Sequence, residues 1–273
     1  MNNIGVMQGR LSKSIGNKIQ AFPRGAWEEE FKKAADIGFD EIEFIFEAQN
    51  YENNPLFTRE GLYKIKRVSE ETGIQVNYVC ADYFMRRPFI RVSEKAKNKS
   101  VEILKYLIKQ CAQIGIKGIE IPMVDNSRIE TEKEEELLIE CLKECLPVAE
   151  TYNVKLGLET SLNPDDFKAL IEKINHPLIR ANYDTGNSAS LGYDPEEEIL
   201  KLGKWISNVH IKDRLLGGST VPLGEGDTKF DLVFKTLNKI SYKGSFILQT
   251  ARGEDDLQVA QKYLTFVKQF LFK

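Results

Sequence analysis

Four apolar, strand-like runs in the second half of the chain each carry, at or near the end, a polar side chain able to bind a metal ion. LGLET reaches Glu159, IRANYDTGN contains Asp184, ISNVHIKDR contains His210, and GSFILQT reaches Gln249. Two carboxylates, an imidazole and an amide suit one divalent cation, whether Mn²⁺, Co²⁺, Zn²⁺ or Mg²⁺. Two carboxylates already neutralise a dication, so Gln249 has scope to coordinate through its neutral amide oxygen. An amide cannot shuttle a proton at neutral pH, which sets position 249 apart from the two acids. Taken singly, each residue has a plainer use. A strand-end carboxylate is often a helix cap, Asp184-Thr185-Gly186-Asn187 can be a turn, and a strand histidine is often a hydrogen-bonded core residue. Their joint occurrence, in this order on successive strands, favours the metal reading.

Convergence of four strand ends requires elements that bring them together. A β-rich run, a loop and an amphipathic helix repeat about eight times along the 273 residues. Strands are expected near 3–8, 41–46, 75–80, 117–122, 154–159, 179–184, 206–211 and 245–249. Helical periodicity covers roughly 26–37, 58–72, 93–114, 133–152, 164–174, 195–203, 229–240 and 256–271. Helix-to-strand joints are short and punctuated (ADIGFD, ETGIQV, QIGIKG, INHPLI). Strand-to-helix joints are long and chemically varied (CADYFMRRPFIRV, TGNSASLGYDP, KDRLLGGSTVPLGEGDTK). Barrel enzymes divide stability and chemistry in this way, and a barrel of this kind needs roughly 250 residues. A doubly wound open sheet also alternates strand and helix, but no GxGxxG follows the first strand. The expected fold is α/β, a (β/α)8 TIM barrel, with residues 1–273 in a single domain.

The composition narrows the function. A net charge of -3 gives no electrostatic case for nucleic acid. No apolar run is long enough to span a membrane, and MNNIGVMQGRLS lacks the layout of a signal peptide, so a cytoplasmic protein is expected. Cys80, Cys111, Cys141 and Cys145 show no CxxC spacing, and Cys141 and Cys145 share a helix face as buried thiols. His176, in INHPLI, precedes a strand and belongs to the opposite end of the barrel as a structural residue.

Further candidates lie in the loops. In segment 212–231, Lys212 and Arg214 offer positive charge, and Gly224 and Gly226 offer backbone N–H groups to an anion. Glu225 either closes over the site or is simply solvated. Gln8 and Arg10 follow the first strand, and Glu43 lies in the second. Asp82 and Tyr83 follow the third, and Asp125 and Asn126 the fourth. Arg86-Arg87 could attract a phosphate or be a solvated turn. Phe44, Phe46, Phe84 and Phe89 read as core, or else as an apolar wall or subunit contact. The run EKEEELLIE reads as a solvated helix face.

The stretches GLET (157–160), YDTGN (183–187), VHIKDR (209–214) and VPLGEGDTKFD (221–231) resemble the xylose isomerase-like barrel superfamily of sugar and sugar-phosphate isomerases and epimerases. GFDEIEF (38–44) and IGVMQGRLS (4–12) are weaker echoes. The chain looks most like the L-ribulose-5-phosphate 3-epimerase and tagatose-3-epimerase branches. The resemblance implies that Glu159 binds metal and also moves a substrate proton, with Asp184 and His210 as further ligands. It places Arg214 near metal and substrate; Lys212, Asn187, Glu225 and Gln8 are the further substrate-binding candidates that the loops offer. The family's fourth ligand is a glutamate, and here that position is Gln249.

The chemistry so implied is a metal-stabilised enediolate formed when a carbon beside a ketone loses its proton. A 3-epimerase is simplest with two carboxylates, one on each face. Glu159 alone suffices for same-face transfer between adjacent carbons, so Gln249 moves the expectation modestly towards isomerisation. A metal-dependent sugar dehydratase, or a sugar-binding barrel that has lost catalysis, would also accommodate the glutamine. Metal-dependent phosphodiester cleavage is disfavoured, because related sites are histidine-rich and this chain has two histidines. The expected partners are a small carbohydrate or sugar phosphate and a second copy in a homodimer or homotetramer, with neither nucleic acid nor membrane.

Overall fold

The computed structural model describes residues 2–16 and 18–271. Among the described residues the strands are β1 (Ile4–Met7), β2 (Glu41–Ile45), β3 (Tyr78–Cys80), β4 (Gly118–Met123), β5 (Lys155–Thr160), β6 (Ile179–Asp184), β7 (Ile206–Ile211), β8 (Asp213–Arg214), β9 (Thr220–Val221) and β10 (Ser245–Leu248). Interleaved with them are α1 (Trp27–Ile37), α2 (Arg59–Thr72), α3 (Tyr83–Arg86), α4 (Glu94–Gln113), α5 (Glu132–Tyr152), α6 (Pro164–Ile174), α7 (Thr185–Leu191), α8 (Pro195–Leu202), α9 (Phe230–Lys239) and α10 (Asp256–Leu271). Eight strands close into a barrel in the order β1-β10-β7-β6-β5-β4-β3-β2, as the sequence period predicts. β8 and β9 form a separate antiparallel hairpin.

By contact the chain falls into two compact units, one of residues 1–43, 72–75 and 181–273, the other of 44–71 and 76–180. In the first, β7 runs parallel between β6 and β10, and Asp184 is the register partner of His210. Side chains alternate across a strand, so Asn182 and Asp184 on β6 share a face with Asn208 and His210 on β7. Val209, Ile211, Ala181 and Tyr183 occupy the other face, and all eight are buried. Barrel interiors are ordinarily filled by branched apolar residues. A buried face of asparagines, an aspartate and a histidine costs stability unless every group finds a partner, so it points to a task other than packing.

In the second unit β3, β4 and β5 run parallel in register from Tyr78 and Gly118 to Met123 and Thr160. Gly118 is dictated by packing, because a Cβ there would lie 2.3 Å from the Tyr78 ring. Phe44, Phe46, Phe84 and Phe89 are fully buried. Phe46 stacks on Tyr83 and Phe84 on Phe89, so these rings are core and not a surface wall.

Several segments depart from expectation, among them α3 and the β8–β9 hairpin, which lie inside expected strand-to-helix joints. Strand 75–80 is regular only at Tyr78–Cys80, with Gln75 making an isolated bridge to Glu41. TGNSASLGYDP is not simply a loop: its first seven residues form α7.

Candidate active site

The YDTGN and HIKDR stretches lock into each other. Asp184, at the end of β6, is the N-cap of α7, and its Oδ1 accepts from the Asn187 N–H at 2.8 Å. Its Oδ2 accepts from Lys212 Nζ at 2.6 Å. The helix-cap reading of this aspartate therefore holds together with its place in a cluster of charged groups. Thr185 pins the other end of Lys212: its hydroxyl donates to the Lys212 carbonyl and accepts from the Lys212 N–H. Gly186 lets the lysine stem cross the start of α7, because a Cβ there would sit 2.7 Å from Lys212 Cγ. Asn187 Oδ1 accepts from Arg214 at 2.8 Å, and the rest of that guanidinium donates to the Gly218 carbonyl.

His210 is completely buried. Its Nε2 lies 3.2 Å from Glu43 Oε2, and its Nδ1 lies 3.2 Å from Asn182 Nδ2 and 3.9 Å from Asp184 Oδ2. Glu43 Oε2 also accepts from Asn208 Nδ2 at 2.8 Å. Gln249, one residue beyond β10, is held by its backbone N–H to the Ile211 carbonyl. The side-chain Oε1 of Gln249 is buried and meets no hydrogen-bond donor among the described residues. A buried amide oxygen without a donor carries a desolvation penalty that a cation would remove. In the second unit, Glu159 is buried near the end of β5, opposite Pro122 in register.

Among the described residues, Glu159 with Asp184 and His210, and Glu43 with Cys80 and Glu120, are sets whose donor chemistry could hold a metal ion. The second set is the poorer. Its Cys80 sulfur lies 3.5 Å from Asp82 Oδ1, and Glu43 Oε2 faces Asn208 and His210. Within the first unit, the carboxylate of Asp184, the imidazole of His210 and the unsatisfied Gln249 oxygen are donors whose chemistry fits a divalent cation.

The remaining candidates have diverse surroundings. Gln8 is buried, its N–H donating to the Glu43 carbonyl. The turn after it is fixed by Glu30 of α1, which accepts from the Gly9 and Leu11 N–H groups and from Ser12 Oγ. Burial raises the Glu30 pKa. Arg10 donates to the Thr250 and Ile19 carbonyls and is a brace between loops. Gly224 and Gly226 do present their N–H groups to an anion, but it is Asp213 Oδ2, at 2.8 and 3.0 Å. Thr228 N–H takes Asp213 Oδ1. Asp213, completely buried, thus folds the whole 215–228 segment, a role that a lone Asp-Arg dipeptide does not advertise in sequence. Glu225 is exposed, and its charge bears on Tyr263 of α10. His176 meets Glu150 and the Leu178 N–H ahead of β6, a structural position as expected. In the second unit, Arg86, Arg87 and Lys99 line a recess of about 370 Å³ with Tyr51, Tyr83 and Glu52.

The family described as "Xylose isomerase-like TIM barrel" matches residues 31–269. The L-ribulose-5-phosphate 3-epimerase UlaE of Shigella flexneri is 28% identical, over 94% of this chain and 95% of its own. Among solved structures, a xylose isomerase domain protein from Planctomyces limnophilus superposes with a TM-score of 0.78 at 18% identity, covering 98% of this chain and 97% of the other. The IOLI protein, solved with a binding zinc atom, gives 0.78 at 18% identity, over 99% and 100%. At these identities the structural likeness speaks for the fold.

Proposed function

Since the chain belongs to the xylose isomerase-like TIM barrel family, we propose that it is a divalent-metal-dependent isomerase or epimerase of a small sugar or sugar phosphate. The observation that carries this reading is the buried Asp184–His210 register pair, with the donor-less amide oxygen of Gln249 on the neighbouring strand end. The relatives named as L-ribulose-5-phosphate 3-epimerases and the zinc in the IOLI protein support it.

Glu159, Asp184, His210 and Gln249 would hold the ion. When bound, a divalent cation supplies positive charge for the oxyanion that develops as a substrate carbon loses its proton. Glu159 is the group that removes and returns this proton, since Gln249 cannot. Lys212 and Arg214 contribute further positive charge towards substrate oxygens, Asn187 orients Arg214, and Gln8 and Glu225 complete the substrate contacts. The Arg86, Arg87 and Lys99 recess suits a phosphate group. With one mobile-proton carboxylate, transfer on a single face between adjacent carbons is favoured over inversion.

The test is deuterium incorporation from D₂O into a panel of ketoses and ketose phosphates, with Mn²⁺ or Co²⁺ present. Wild-type protein exchanges a C–H of at least one of them, and Glu159→Gln slows that exchange by about 100-fold or more. Exchange that survives Glu159→Gln removes the assigned base. Sugar-induced thermal stabilisation without any exchange points instead to a binding protein, and release of water to a dehydratase.

A further inference from the structure

The backbone of Glu43 pairs β2 with β1 and its carbonyl accepts from the Gln8 N–H, while its buried carboxylate is aimed at His210. A neutral imidazole has one N–H and one lone pair, and which nitrogen keeps the proton is decided by the partners of the two. A carboxylate only accepts. With Glu43 Oε2 3.2 Å from Nε2, the favourable arrangement puts the proton on Nε2. The reverse tautomer would set an Nε2 lone pair against a buried carboxylate, two acceptors with no hydrogen between them. Asn208 Nδ2, donating to the same Oε2 at 2.8 Å, fixes where that oxygen sits. The lone pair is then left on Nδ1, the nitrogen that faces Asn182 Nδ2 at 3.2 Å and Asp184 Oδ2 at 3.9 Å. In that tautomer Asn182 Nδ2 can donate to the Nδ1 lone pair in metal-free protein, and it gives the lone pair up when a cation binds.

We propose that Glu43 is a positioning residue that holds His210 in the Nε2–H tautomer and so makes Nδ1 the nitrogen that binds a cation. This rests on the reading of His210 as a metal ligand. Carboxylate partners of this sort orient ligand histidines generally, and losing one costs about 10–100-fold in metal affinity.

The chain has two histidines, so ¹⁵N-imidazole labelling gives two rings, and a His176 substitution assigns them. In metal-free protein His210 shows a protonated Nε2 and a lone-pair Nδ1. In Glu43→Gln, and more fully in Glu43→Leu, this preference weakens into a mixture of tautomers, and the Co²⁺ dissociation constant rises by about tenfold or more. A structural role alone would alter stability and leave the tautomer as it was. A wild-type His210 protonated on Nδ1, or on both nitrogens, overturns the proposal. So do an unchanged tautomer and Co²⁺ affinity in both variants. Should Co²⁺ fail to bind the wild type while the tautomer shifts as stated, it is the cation-site reading that fails, and Glu43 stands as the orienting group.

Discussion

Position 249 is the one uncharged carbonyl donor in the proposed ligand set. A glutamine supplies a ligand oxygen without charge, and its Oε1 lacks a donor among the described residues. Replacing it with glutamate would bury another carboxylate in a cluster that already holds Asp184. Gln249→Glu is therefore predicted to lower the melting temperature in chelator and to gain more than wild type from added Mn²⁺. Thermal scans with and without the ion check this, and a variant as stable as wild type in chelator would contradict it. Glu159, Asp184, His210 and Gln249 were visible as candidates in sequence because each lies at or near the end of an apolar run. The partners that orient them were not. Glu43 contacts His210 across 167 positions of sequence, a separation on which periodicity is silent. Asp213 likewise reads as an ordinary dipeptide until its carboxylate is seen to gather three backbone N–H groups.

At the scale of elements, the long helices and most barrel strands were legible to within a residue or two from their apolar period, and several helices also show their caps; β3, which begins at Tyr78, is the exception. Asn163 caps α6 and Asp194 caps α8, each with proline next in line. α7 escaped because Thr-Gly-Asn-Ser lacks strong helix formers. It exists through the Asp184 cap and the neighbouring Lys212 backbone, contacts that no local window contains. α7 and α8 are joined by a buried polar contact in which Glu198 accepts from Ser188 Oγ and Tyr183 OH. Burial raises the Glu198 carboxyl from its ordinary value near 4.5 to about 7, and the two hydroxyl donors only partly offset this. The sign follows from linkage. The folded state binds the proton more tightly, so this contribution to stability is complete below about pH 4.5 and is lost as pH rises through about 7. Such a shift corresponds to about 3 kcal/mol. Glu198→Gln imitates the neutral form and is predicted to gain stability relative to wild type progressively from about pH 5 to pH 8. Urea titrations across that range test it, and parallel curves for the two proteins would sink the assignment.

For the whole molecule, no helix among the described residues is long and apolar enough to cross a membrane. The four cysteines are free and buried. Burial pushes the Cys141 thiol up to about 11 and that of Cys145 to about 12, with Cys111 raised further. Thiolate is the reactive form, so native protein should react with aromatic disulfide reagents far more slowly than denatured protein, in which all four thiols titrate. Rapid modification of a native thiol would contradict this packing. The barrel itself was legible from eight repeats and their loop asymmetry. The proposed chemistry requires a bound cation. Equilibrium dialysis of chelator-stripped protein against Mn²⁺ and Co²⁺, for wild type, Asp184→Asn and His210→Ala, tests that most directly. One ion per chain in wild type, with affinity lost by about 100-fold or more in both variants, is the predicted result. No bound ion, or binding indifferent to Asp184 and His210, would contradict the account.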